Sequence, residues 1–85
     1  MAASLPMETF YFHSSGALPH RDDEGVELPN RGAAEVEALR VVGELLKDGQ
    51  GWLWGPEPLV LQVTDADAEE ILRVEVSARR TARRP

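Results

Sequence analysis

Eighty-five residues are room for one domain, and a core of that size supplies only roughly 3–5 kcal/mol, so a further source of stability is expected. The chain has no cysteine, which excludes disulfide staples and a zinc site built on thiolates and leaves self-association as the remaining route to extra burial. The net charge of −6 is unevenly placed: residues 1–72 hold four basic against fourteen acidic side chains, and residues 73–85 hold five arginines against Glu75 alone.

Residues 1–7 read as a flexible leader. They carry neither the positive start nor the apolar run of a secretory signal. No stretch of the chain approaches the ~20 apolar residues that cross a bilayer, so the expected location is the cytoplasm, without a membrane partner. Glu8 to His13 reads as a strand, with Phe10 and Phe12 facing a core and Tyr11 and His13 facing away. Ser14-Ser15-Gly16 is a turn signal, and residues 17–21 are expected to return as a short edge strand interrupted by Pro19, which has no N–H to donate. Asp22-Asp23-Glu24-Gly25 forms the next turn, and Val26-Glu27-Leu28 alternates briefly before the helix.

The helix follows Asn30, a good N-cap placed after Pro29. At helical spacing Ala34, Ala38, Leu39, Val41, Val42, Leu45 and Leu46 fall on one continuous face, with Arg31, Glu37, Arg40, Glu44 and Lys47 opposite. Gly49 closes the helix, and a loop runs to Pro58 through Trp52 and Trp54. Leu59–Thr64 and Ile71–Ser77 alternate cleanly and form a hairpin around residues 65–69. Leu59, Leu61, Val63, Leu72, Val74 and Val76 face inward, and the intervening residues are wet. The expected organisation is a leader over 1–7, a single α+β domain over 8–78 and a basic disordered tail over 79–85. The domain is a small antiparallel sheet of three or four strands, in β-β-α-β-β order, with one helix across one face. The other face then presents Tyr11, His13, Val60, Gln62, Thr64, Arg73 and Glu75.

The runs Phe10-Tyr11-Phe12-His13, Asp22-Asp23-Glu24-Gly25-Val26-Glu27-Leu28-Pro29 and Ala33-Ala34-Glu35-Val36-Glu37-Ala38-Leu39-Arg40, with the hairpin strands Leu61-Gln62-Val63-Thr64-Asp65 and Leu72-Arg73-Val74-Glu75-Val76, resemble a family of small bacterial domains of unknown function. The likeness spans about residues 7 to 77. It implies the fold and no chemistry, since the family has no assigned activity. Three features depart from its pattern. The family commonly has a glycine in the last hairpin turn, where Ala68 and Glu69 stand here, and it lacks the Trp52-Leu53-Trp54 segment and the arginine tail.

Candidate functional residues sort by chemistry. His13, His20, Asp22, Asp23 and Glu24 are of metal-ligating type but lack any recognised ligand spacing, and an acidic run of this kind suits a solvated turn. No nucleophile motif or phosphate-cradling glycine loop is present. The chain therefore reads as non-catalytic, with no cofactor and no metal. Trp52 and Trp54, two apart, either cap the small core or anchor a partner. With Tyr11, His13 and Val60 they make up the expected partner-binding set, the partner being an unidentified protein or a second copy in a homodimer. Arg79, Arg80, Arg83 and Arg84 are the candidates for nucleic acid. That partner is disfavoured by the acidic body and by the small number of phosphate contacts four arginines provide.

Overall fold

The computed structural model describes residues 6–48 and 55–81. Four strands and one helix follow one another: β1 (Glu8–Gly16), β2 (Val26–Leu28), α1 (Arg31–Asp48), β3 (Leu59–Thr64) and β4 (Glu70–Val76). The strands make one antiparallel sheet in the spatial order β2-β1-β3-β4, so the expected α+β domain, a sheet of three or four strands with one packed helix, is found with four strands.

Register decides which side chains meet. Phe12 lies opposite Val63 and Ser14 opposite Leu61, while Leu61 and Val63 lie opposite Val74 and Leu72. Opposed residues share a face, so these side chains form one layer beneath the helix. Phe10, Leu61 and Val63 are completely or almost completely buried, and Ala34, Ala38 and Val42 of α1 close the core over them. The alanines are what let the helix backbone lie close to the sheet. Asn30 caps it as its sequence position requires: its Oδ1 accepts the Ala33 N–H at 2.8 Å.

Three expectations are corrected. Residues 17–21 do not form the second strand. That segment makes a single bridge, His20 to Ser14, and the partner of β1 on this side is Val26–Leu28. Pro19 interrupts any ladder there, whereas Val26-Glu27-Leu28 has a donor at every position. Leu39 is not on the buried face. It is 64 % exposed, as is its outward neighbour Val36 at 71 %. Leu39 stands about 100° around the helix from Ala38, and a helix seated on a narrow sheet through alanines buries less than that arc on either side. Val60 is buried rather than presented, although it belongs to the face away from α1.

Two turns depend on backbone conformations that side chains disfavour. Gly25 has φ +77°, and a Cβ there would stand 2.7 Å from Thr9 Cγ2 and 2.9 Å from Tyr11 Cε2. The β3–β4 turn places Ala68 at φ 65°. Its Asp65 carbonyl accepts the Ala68 N–H at 3.0 Å, and the Asp65 N–H donates to Glu69 O at 2.9 Å. This is a three-residue hairpin loop whose last position is left-handed, a place that glycine fills without strain.

Candidate functional site

The sheet face away from α1 carries two polar arrangements, one at each edge. The first begins with an opening in the β1 ladder. β2 pairs with β1 only as far as Phe10, and the next bridge is at Ser14, so the outward N–H of Phe12 has no strand opposite it. Asp22 fills the opening. Its Oδ2 accepts the Phe12 N–H at 3.1 Å, and its Oδ1 accepts the Glu24 and Gly25 N–H groups at 3.0 Å each. Partial burial pushes the Asp22 carboxyl up. The N–H donors of Gly25, Phe12 and Glu24 and the nearby His13 together outweigh that and hold it below the ordinary 3.8.

His13 is held by the same clasp. Its Nδ1 accepts the Asp22 main-chain N–H at 3.1 Å, which places the ring hydrogen of the neutral form on Nε2, 3.4 Å from Thr64 Oγ1. The Tyr11 ring lies parallel to it at 6.3 Å between centroids. Around these side chains is an open cleft of about 290 Å³, bordered also by Arg21 and Asp23. The chemistry of the cleft is already committed. Asp22 spends both oxygens on backbone donors, and His13 spends Nδ1 on a backbone N–H. Among the described residues no group of three or more His, Asp or Glu is placed to hold a metal, and no buried side-chain nitrogen or oxygen lacks a partner.

The second arrangement lies along β4, which forms the other edge of the sheet. Glu70 Oε1 accepts Gln62 Nε2–H at 2.8 Å and Arg73 Nη2–H at 3.1 Å. The Gln62 hydrogen bond, followed by the Arg73 hydrogen bond and charge, lowers the Glu70 pKa. Arg73 is 3.9 Å from Glu75 on its other side. Beneath this row Leu72, Val74 and Val76 face the helix layer, yet all three are only half-buried, because no described strand lies beyond them.

Of the expected partner-binding residues, Tyr11 and His13 are brought together in the clasp and Val60 is buried. Trp52 and Trp54 lie outside the described residues, as do Arg83 and Arg84. Arg79 and Arg80 are exposed just beyond β4, where residues 55–58 and 75–80 border an open hollow. Asp22 is the residue whose role the sequence did not disclose. Its one legible signal was an aspartate three residues before a glycine, which is a turn signal and says nothing of a strand partner.

A family model for a domain of unknown function, DUF6894, matches residues 9–77. The chain belongs to the DUF6894 family. The match takes in all of β2, α1, β3 and β4, together with all of β1 after its first residue, so both edge arrangements are inside the DUF6894 domain. Comparison with curated proteins and with solved structures gives no match. No helix among the described residues is long and apolar enough to cross a membrane.

Proposed function

We propose that this DUF6894 chain is a small non-catalytic interaction module of the cytoplasm whose partner is a second copy of itself, joined through the β4 edge. One observation carries the reading. β4 is a seven-residue strand, bulged at Ile71 and evenly paired with β3 from Leu72 to Val76, that has a neighbour on one side only among the described residues, and its helix-side residues Leu72, Val74 and Val76 are left half-covered. A free strand edge is a template for another strand, and the apolar stripe beside it gains burial when one is added. The small core gives that gain weight, since self-association is its remaining route to stability. The non-catalytic part is supported by the clasp at the opposite edge, where the only histidine–carboxylate pairing among the described residues is consumed by main-chain donors.

Sedimentation equilibrium over a concentration series tests this. The expected result is a species of twice the 9.4 kDa chain mass, growing with concentration. A strict monomer into the high micromolar range overturns the reading.

A further inference from the structure

We infer that two copies pair their β4 strands antiparallel about a twofold axis that passes beside Val74, a register that the sequence of the strand itself selects. The inference rests on the self-association reading above and adds its geometry and its specificity determinants, Arg73 and Glu75.

In an antiparallel pair, directly opposed residues share a face of the sheet. A twofold axis at Val74 sets Val74 against the partner's Val74 and Leu72 against the partner's Val76. Both contacts fall on the helix side, where these residues are half-exposed. On the other side the same axis sets Arg73 against the partner's Glu75, and Glu75 against the partner's Arg73. Opposite charges directly across a strand pair are favourable, and like charges are not. Glu75 is the freer of Arg73's two acidic neighbours, at 3.9 Å against 3.1 Å for Glu70, with 60 % of its side chain exposed.

No neighbouring register does this. An axis at Arg73 opposes Arg73 to itself and Glu75 to Ile71. An axis at Glu75 opposes Glu75 to itself and Arg73 to Ser77. Axes at Leu72 or Val76 give Arg73 the partners Ile71 or Arg79. A register that opposes the wet row of one copy to the apolar row of the other has no twofold axis, because an axis normal to the sheet carries each face onto itself. Only the Val74 axis joins apolar to apolar and acid to base from Leu72 to Val76, the evenly paired part of the strand.

Single cysteines read the register directly, because the chain has none of its own. Directly opposed Cα atoms lie about 4.5–5.5 Å apart, within the range a disulfide spans, while Leu72 and its copy would be separated by about 14 Å. Under mild oxidation Val74→Cys should cross-link to a covalent dimer. Leu72→Cys and Val76→Cys should not cross-link alone but should do so when mixed. In sedimentation, Arg73→Glu and Glu75→Arg should each weaken dimerisation roughly tenfold or more. An equimolar mixture of the two, and the double variant Arg73→Glu/Glu75→Arg, should recover it. Circular dichroism of each variant confirms that the helix is intact. Parent chains that dimerise while Val74→Cys cross-links no better than Leu72→Cys would overturn the register and leave self-association standing. Parent chains that stay monomeric overturn both.

Discussion

The two edges of the sheet solve the same problem in different ways. At the β2 edge the outermost strand is three residues long, and where it stops Asp22 takes over its hydrogen-bonding role with a side chain. At the β4 edge the strand is seven residues long, evenly paired from Leu72 to Val76 after a bulge at Ile71, and bordered by no comparable plug among the described residues. Short or plugged edges resist pairing with other chains, and long regular ones invite it. The contrast teaches that one side of this domain is finished within the chain, whereas the other is the side that the proposed β4 pairing would complete.

Breaking the closed edge should cost most. Asp22→Ala removes the acceptor of three main-chain donors and should lower stability by about 2–3 kcal/mol, read as a fall in the urea midpoint. Gly25→Ala should follow at about 2 kcal/mol, since the new Cβ meets Thr9 and Tyr11 at a positive φ. The clasp also predicts an acid limb. The Asp22 carboxyl is depressed in the folded state, so its contribution is fully present above the ordinary 3.8 and is lost as pH falls through the lower folded value. The thermal midpoint of the parent should therefore drop below pH 4 more steeply than that of Asp22→Asn. On the open side the expected effects are smaller. Ala68→Gly should raise stability by about 1 kcal/mol by relieving the left-handed alanine. Arg73→Glu and Glu75→Arg should each leave the urea midpoint of the monomer nearly unchanged, measured at dilution where association is absent, because exposed ion pairs contribute little. A large loss at Arg73 under those conditions, or none at Asp22, would erase the distinction between the edges.

The two edges also differ in how far the sequence disclosed them. β4 and its partner β3 were legible because alternation along each strand states which residues turn inward, whereas the one-residue bulge at Ile71, which moves Val63 from Ile71 to Leu72, was not. The helix was legible through Asn30 and its apolar spacing, apart from Leu39, whose exposure depends on how narrow a sheet the helix covers. The β2 edge was not legible. The Phe12 N–H is a backbone group, identical in every residue, and its acceptor lies ten positions away, so no periodicity points from one to the other. Val26-Glu27-Leu28 is too short to announce a strand, and its pairing with residues 8–10 comes from the closure of the 17–25 loop by Asp22 and Gly25. Trp52 and Trp54, a conspicuous feature of the sequence, fall outside the described residues.

The parallel stacking of Tyr11 on His13 has a spectroscopic use. The chain has two histidines, and one of them sits against its only tyrosine while the other, His20, is exposed at the surface. Ring currents from the tyrosine displace the imidazole protons of His13 and leave those of His20 near their free-peptide positions. A one-dimensional proton spectrum should therefore carry two distinct sets of imidazole signals, and their convergence would report the separation of His13 from Tyr11 as the Asp22 clasp opens.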